Sequence, residues 1–340
     1  MRIRLLIATP DANYADHLSK SISEQYADTV DVHVCLLPER LQELLSTQKF
    51  DTALLEAQII EDMDLSSIHL PMLLMAEEDN EPNVPGTLKR IGKYQRISSM
   101  VDEVLEHYAK VSTNGREPCL EKVRITAVWS PAGGVGKTTV ALSYAARKAS
   151  DGKQVLYLSL EPFSSVPAYF SGSGKSISAV FEMLENEEGN VEMLIRAIKR
   201  QDSTTGVSYF CSPDNYDDMH ILSTENINAL VNACAVVADE LVIDMSSVCD
   251  ERTRQVFKLA DRVFLVTNMT AAAQTKLLQF ACQNNVFQRI RDKTILVANM
   301  GATVGKPLVD TVIQLPYVQS VDTPGVFKTL SGCDFEPGGS

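Results

Sequence analysis

A short glycine-rich segment carries the residue types best suited to chemistry in this sequence. It reads Ser-Pro-Ala-Gly-Gly-Val-Gly-Lys-Thr-Thr over residues 130–139, and its candidate ligand residues are Gly133, Gly134, Val135, Gly136, Lys137, Thr138 and Thr139. Glycines let successive backbone N–H groups point at one oxyanion, and a following helix adds the positive end of its dipole. Lys137 would reach β- and γ-phosphates, Thr138 would offer a hydroxyl to Mg²⁺, and Thr139 would contact an α-phosphate. The segment therefore predicts a nucleotide-phosphate site.

The elements around this segment have the order that such a site needs. Residues 123–129 have a pattern typical of a buried strand, and residues 140–149 have the spacing of a helix. Strand, glycine loop and helix in succession make a chance match improbable. The ordinary form of the loop has glycine six residues before the lysine, where this sequence has Pro131.

The loop resembles the deviant phosphate loop of the ParA/MinD ATPases, and the resemblance extends from residue 122 to about 332. Later segments resemble the strands of that family: 153–162 (the second strand and switch I), 239–244, 261–268, 294–299 and 315–317, with 323–325 as a loop on the nucleobase side. The resemblance implies ATP and Mg²⁺ as ligands and a homodimer formed through this domain. It also implies that Asp244 holds Mg²⁺ through a water, that Asn299 contacts adenine, and that Glu161 is a catalytic candidate for orienting or deprotonating water.

Departures from the family pattern bear on hydrolysis. The family's signature lysine, which reaches the partner's γ-phosphate, is replaced by Ala132, and the two switch aspartates are replaced by Ser159 and Glu161. Loss of a cation that neutralises transition-state charge lowers the rate strongly. The expectation is an ATP-binding domain that is at most a slow ATPase.

The N-terminal part alternates strand and helix patterns and resembles the receiver domain of two-component signalling. Its chemistry is incomplete, because Glu56 occupies the position of the phosphate-accepting aspartate and Asp11 is the one acid left to support magnesium. Met75-Ala76 lacks the usual hydroxyl, whereas Lys93 matches the lysine after the fifth strand. We predict a degenerate receiver-like domain kept for contacts; an unrelated flavodoxin-like domain is the alternative.

Length and composition fit two domains in 340 residues. We predict an α/β protein with two doubly wound parallel-sheet domains: a receiver-like (flavodoxin-like) domain at 1–110, a linker at 111–121 and a SIMIBI-class P-loop domain at 122–340. Within the latter, 171–218 is the least informative segment. It has helical spacing at 176–185 and 191–200, a strand pattern at 207–211 and a polar loop at 212–218.

Charge and cysteine usage limit the classes of partner. The net charge is −13, of which residues 1–121 contribute −10, and no cluster of Lys and Arg is present. Nucleic acid and direct membrane insertion are therefore not expected, since both nucleic acid and anionic lipid require clustered cations. Seven scattered cysteines without a C-x-x-C pair indicate reduced thiols in a cytoplasm.

A degenerate receiver fused to a deviant ATPase domain resembles the TadZ/CpaE family. That resemblance implies a localisation and assembly factor for a Tad (type IVc) pilus or secretion machine. The receiver-like domain would bind protein components of that machine and concentrate the protein at a cell pole or the inner face of the membrane. Two alternatives stay open: an active ParA/MinD-type positioning ATPase, and a nucleotide-independent scaffold. The acidic, proline-broken residues 331–340 argue against a MinD-like amphipathic membrane helix.

Overall fold

Two compact units make up the chain, Met1–Asn114 and Gly115–Ser340. The structure is a computed structural model that describes residues 2–27, 29–60, 63–76, 88–112, 123–187, 189–320 and 322–336. Of the linker predicted at 111–121, Val111 ends a helix and residues 113–121 lie outside the described part. No helix among the described residues combines the length and apolar character needed to cross a bilayer.

The N-terminal unit contains one five-stranded parallel sheet. Its elements are β1 Ile3–Ala8, α1 Ala12–Gln25, β2 Val30–Cys35, α2 Pro38–Thr47, β3 Phe50–Glu56, β4 Ile68–Met75, β5 Lys89–Gly92 and α3 Ile97–Val111, with a 3-10 turn at Ala57–Ile59. The strand order β2-β1-β3-β4-β5 is that of flavodoxin-like folds. Most residues of β1 and β3 are buried, so these two strands form the centre of this sheet.

The C-terminal unit contains an eight-stranded sheet. Its strands are β6 Arg124–Trp129, β7 Val155–Leu160, β8 Arg200–Gln201, β9 Ser208–Tyr209, β10 Glu240–Met245, β11 Arg262–Thr267, β12 Thr294–Ala298 and β13 Val312–Gln314. Its helices are α4 Lys137–Ser150, α5 Ser178–Glu185, α6 Val191–Ile198, α7 Thr224–Ala235, α8 Glu251–Leu259, α9 Ala271–Ala281, α10 Phe287–Ile290 and α11 Thr323–Leu330. The strand order is β13-β12-β11-β6-β10-β7-β9-β8. All neighbours are parallel except β8 and β9, which form an antiparallel edge. The α/β class with two parallel-sheet units is thus confirmed.

The central strands of this second sheet position the phosphate loop. β6 lies between β11 and β10, and β10 pairs on its other side with β7. In a parallel sheet the carboxyl ends of neighbouring strands meet at one edge, where ligands bind in open α/β folds. The loops after β6, β7 and β10 therefore converge.

An aromatic cluster closes the core behind α4. Tyr144 of α4 packs edge-on against Phe264 of β11, at 4.9 Å between ring centroids, and against Phe335, at 5.6 Å. Phe335 is 1% exposed although it lies beyond the last helix. Glu336 continues the attachment through ion pairs with Lys148 and Arg262. Phe335 is therefore part of the core, whereas its neighbours Asp334 and Glu336 are exposed.

Several element boundaries differ from the sequence predictions. The last strand is Val312–Gln314, so residues 315–317 follow it, and 323–325 begin α11 instead of forming a loop. Residues 322–325 show why, since Asp322 caps α11 by accepting a hydrogen bond from the Gly325 N–H. The polar loop predicted at 212–218 contains the start of a 3-10 turn, Tyr216–Met219. Further 3-10 turns are Val166–Ala168 and Arg291–Lys293.

Truncation of Phe335 tests the role of the terminal segment. We expect Phe335→Ala to lower the free energy of unfolding of the C-terminal unit by about 3–4 kcal/mol, because it removes a buried ring and leaves a cavity. Urea unfolding followed by circular dichroism measures the change. The matched control is Leu278→Ala on α9, where the side chain is 56% exposed and the expected cost is within about 0.5 kcal/mol. Equal, small effects of both substitutions would contradict a core role for Phe335.

Candidate functional site

Backbone geometry shapes the glycine loop for an anion. Gly134 and Gly136 have φ values of 72° and 83°, a region that residues with a Cβ rarely adopt. Gly136 is the N-cap of α4 and provides no side-chain cap, which leaves the first N–H groups of α4 directed at the loop. A Cβ added to Gly136 would lie 2.5 Å from Nδ2 of Asn299. The backbone conformation therefore favours glycine at both positions, and the close approach of Asn299 also requires it at Gly136.

Lys137 is a buried cation with two partners. Its side chain is 8% exposed, and Nζ donates a 3.2 Å hydrogen bond to Oγ of Ser247. Nζ also lies 3.6 Å from Oε1 of Glu161, which follows β7. Ser247, after β10, in turn donates a 3.2 Å hydrogen bond to the Ala132 carbonyl. The loops after three adjacent strands thus meet at this ammonium group.

Asp244, at the end of β10, is fully buried. Its Oδ2 accepts a 2.8 Å hydrogen bond from the Tyr157 hydroxyl, whereas Oδ1 has no hydrogen-bond partner among the described residues. Burial raises the pKa of Asp244 to about 7, and the negative charge of Glu161 adds to this; Thr138, Tyr157 and Lys137 oppose it. Burial next to Asp244 also raises the pKa of Tyr157 far above its usual range. Oδ1 of Asp244 can therefore accept a hydrogen bond from a ligand or from a metal-bound water.

The remaining predicted site residues are also gathered around the loop. Asn299, which is buried, donates through Nδ2 a 3.0 Å hydrogen bond to the Val135 carbonyl. Thr139 shares a 2.7 Å hydrogen bond with the Tyr169 hydroxyl. Val135 is buried, and Gly133 and Gly134 are exposed at the mouth of the loop. The residues of the ATPase-like part that the sequence predicts for phosphate, metal or base contact are therefore in this region of the C-terminal unit.

Ala132 occupies a buried position. It is 5% exposed and packs in the main hydrophobic core of the unit, and its N–H donates a 3.1 Å hydrogen bond to Oγ of Ser130. A long cationic side chain here would have to leave the core to reach solvent. The loop conformation therefore matches the alanine that the sequence supplies.

A cavity of about 340 Å³ adjoins the loop on the other side of Gly136. Its lining includes Thr139, Asn299, Pro316 and Tyr317. The turn after β12 shapes one wall, because Gly301 has a φ of 68° and a Cβ there would lie 2.8 Å from Cβ of Tyr317. The volume lies within the range of small-molecule sites.

The donor set fits a nucleotide with Mg²⁺. Loop N–H groups and Lys137 supply cationic and donor groups for phosphates, and the unpartnered Oδ1 of Asp244 can accept from a metal-bound water. No group of three or more His, Cys, Asp and Glu placed to hold a metal occurs in the described ranges. Few protein ligands are typical of Mg²⁺, which keeps waters and is bound together with substrate phosphates.

Comparisons with known proteins agree with this geometry. Residues 126–235 match the model of the anion-transporting ATPase family. The ParA family ATPase from Chlorobium tepidum is similar in structure, with a TM-score of 0.51, 15% sequence identity, and coverage of 62% of this chain and 93% of that chain. The C-terminal unit has the fold of ParA-type P-loop ATPases.

Two further solved structures show weaker similarity. MinD from Pyrococcus horikoshii, complexed with Mg-ADP, has a TM-score of 0.47 and 14% identity and covers 62% of this chain and 94% of its own. A plasmid partition protein from Borrelia burgdorferi has a TM-score of 0.46 and 16% identity and covers 62% and 97%. A search of curated protein sequences gave no match.

Three residues of the site were missed in the sequence. Tyr157 shares a face of β7 with Ser159, and this alternation was the one available signal, since it directs both side chains to the face that also carries Asp244. Ser247 and Tyr169 lie in loops without a periodic pattern, and only the fold brings them to Lys137 and Thr139.

The N-terminal unit has its own acid–lysine pair at the carboxyl edge of its sheet. Lys93 Nζ lies 2.8 Å from Oε1 of Glu56, and both side chains are nearly buried, at 10% and 12% exposed. Thr9 donates a 2.5 Å hydrogen bond to the same oxygen. Burial lowers the pKa of Lys93, but the hydrogen bond and charge of Glu56 outweigh it and leave that pKa raised. Asp11 is 3.8 Å from Lys93 and also caps α1 by accepting from the Tyr14 N–H.

Removal of Lys93 tests how much this pair stabilises the N-terminal unit. We expect Lys93→Met to lower its free energy of unfolding by about 3 kcal/mol, because Glu56 is left nearly buried without a cation. The control is the double variant Glu56→Gln/Lys93→Met, which leaves no unpaired charge and should recover most of the loss. Chemical denaturation of the three proteins measures this; a double variant as unstable as the single one would contradict the charge argument.

The raised pKa of Asp244 predicts a pH-dependent stability in chelating buffer. A carboxyl whose pKa is higher in the folded state than its usual value near 3.8 stabilises the fold at low pH, and this stabilisation is lost as the pH rises through about 7. We expect the free energy of unfolding of the C-terminal unit to fall between about pH 5 and pH 8, by at most about 1.4 kcal/mol per pH unit from this group. Asp244→Asn should flatten that slope. Parallel slopes in urea titrations of both proteins would contradict the assignment.

Proposed function

We propose that the C-terminal unit binds ATP with Mg²⁺ and closes around it as a homodimer. The observation that carries this proposal is the buried Asp244, whose Oδ1 has no partner, on the strand next to a loop that presents Lys137. A folded protein rarely leaves a buried carboxylate oxygen unpaired unless a ligand completes it. The fold shared with a ParA family ATPase and the match of residues 126–235 to an ATPase family support the same reading.

Each residue has a defined task in this proposal. The N–H groups of 133–136 bind phosphate oxygens, Lys137 neutralises the β- and γ-phosphates, and Thr139 turns from Tyr169 to the α-phosphate. Thr138 coordinates the metal directly and Asp244 through a water. Bound Mg²⁺ screens the charge of the phosphate chain. Asn299 and the adjoining cavity of about 340 Å³ receive the base.

We further propose that hydrolysis is slow or absent. Ala132 is buried and carries no charge, so the chain offers no lysine at this position to a partner's γ-phosphate. By analogy with arginine fingers, such a cation supplies about 10³-fold or more in rate. Ligand that binds only the closed dimer shifts the monomer–dimer balance by mass action, and slow hydrolysis would prolong that state.

In the cell, we propose a TadZ/CpaE-type role. The N-terminal unit, a degenerate receiver-like domain, would bind protein components of a Tad (type IVc) pilus or secretion machine in the cytoplasm, near a pole or the inner face of the membrane. Its phosphate-accepting position is occupied by Glu56, already paired with Lys93, which favours a contact role over phosphotransfer. Its surplus of acidic residues favours a basic protein surface over nucleic acid.

The proposal is tested by measuring the molar mass of the protein with and without nucleotide. We expect the wild-type chain to change from monomer to dimer by light scattering when Mg-ATP is added, with phosphate release below about 0.01 per second, a rate far under typical enzymes. Lys137→Ala should stay monomeric, since it removes the cation that binds the β- and γ-phosphates. The matched control is Lys328→Ala on the exposed side of α11, which should dimerise like the wild type.

Two other outcomes of this experiment would favour the alternative functions. Dimerisation with rapid phosphate release would make the protein an active positioning ATPase despite Ala132. If nucleotide leaves the molar mass of all three proteins unchanged and calorimetry detects no binding, the proposal is contradicted and a nucleotide-independent scaffold is favoured.

A further inference from the structure

Lys137 is already neutralised before any nucleotide contacts it. Its ammonium lies 3.6 Å from Glu161 Oε1 and 3.2 Å from Ser247 Oγ, and its side chain is only 8% exposed. A buried cation requires such partners, because water is not available to replace them. A ligand that uses this ammonium must therefore displace or share what holds it now.

Glu161 is the partner that can leave. Its side chain is 23% exposed, and no hydrogen bond from another side chain to its carboxylate is found among the described residues. Asp244, by contrast, is completely buried and fixed by the Tyr157 hydroxyl. Glu161 lies directly after β7, followed by Pro162, so rotation of its side chain can carry the carboxylate away without moving the strand.

Two anions would compete for one lysine when a triphosphate binds. In a phosphate loop the lysine contacts both the β- and the γ-phosphate. A diphosphate ends one group earlier, so Glu161 can keep part of its contact with Lys137, whereas a γ-phosphate must take its place. Glu161 also adds negative charge where the third phosphate would lie.

We propose that Glu161 is a specificity-determining residue that weakens binding of nucleoside triphosphate relative to diphosphate. It does so by competing with the γ-phosphate for Lys137. This inference rests on the proposed nucleotide site and adds a property to it: the site fills with ATP only when ATP is abundant relative to ADP. A role for Glu161 in activating water alone would leave the relative affinity of the two nucleotides unchanged.

The test compares two nucleotides on the full chain. Calorimetry gives the dissociation constants of AMPPNP, which keeps a γ-phosphate, and of ADP, at one protein concentration, so that the wild type and the variants are compared under the same conditions for dimer formation. In Glu161→Gln the side chain keeps its size but loses its charge. We expect AMPPNP to bind about tenfold tighter, equivalent to about 1.4 kcal/mol, and ADP to change by less than about threefold. The same titrations in EDTA exclude an effect through magnesium.

Two further variants make the result specific. Glu161→Asp, with a carboxylate one methylene further from Lys137, should shift the ratio of the two dissociation constants by an intermediate amount. Glu56→Gln breaks a glutamate–lysine pair in the other unit and should leave the ratio at its wild-type value. Circular dichroism of each variant checks that it is folded.

The outcomes separate the two claims. A ratio that is unchanged in Glu161→Gln, whether or not both affinities change together, overturns the specificity role and leaves the nucleotide site intact. A wild-type chain that binds neither nucleotide overturns the proposed function itself.

Discussion

Burial of one ammonium group organises the centre of the C-terminal unit. Lys137 begins α4 at the edge of the sheet, where it has little access to water, so the surrounding chain has to supply negative or polar partners. Those partners come from the loops after β7 and β10, which a parallel sheet places beside the loop after β6. The strand order, the glycine conformations and the position of Asp244 together place these groups around Lys137.

The N-terminal unit also neutralises a nearly buried lysine with a glutamate. There Lys93 follows β5 and is held by Glu56 at the end of β3, with Thr9 at the end of β1 bound to the same carboxylate. Both units thus place a glutamate against a lysine at the carboxyl edge of a parallel sheet, the edge at which such folds bind ligands. In the N-terminal unit both side chains are nearly buried, which makes the pair permanent, whereas Glu161 retains contact with solvent.

Local patterns allowed much of the fold and the site to be predicted. Apolar runs and helical spacing predicted the alternation of strands and helices in the N-terminal unit and located β6, β7, β10 to β12 and the loop residues, because strand, glycine turn and helix are contiguous in sequence. The short β5, with two cations in four residues, has no strand pattern of its own, and only the resemblance to a receiver, which puts Lys93 after a fifth strand, indicated it. Residues 315–317 were wrongly assigned to the last strand. Leu315 still donates to the Ala298 carbonyl, but Pro316 has no N–H to continue the ladder. The roles of Ser247, Tyr157 and Tyr169 could not be predicted from local patterns, because their partners lie 110, 87 and 30 positions away in the sequence.

The single tryptophan of the chain lies next to the phosphate loop. Trp129 ends β6, one residue before the phosphate loop, and is 1% exposed between Phe257 and Phe280. Its indole N–H donates a 3.2 Å hydrogen bond to the carbonyl of Val248, the neighbour of Ser247. Any displacement of Ser247 when Lys137 changes partner alters the surroundings of this indole. The protein therefore contains its own fluorescent reporter of the phosphate loop, so that emission from the unlabelled chain can follow ligand exchange in real time.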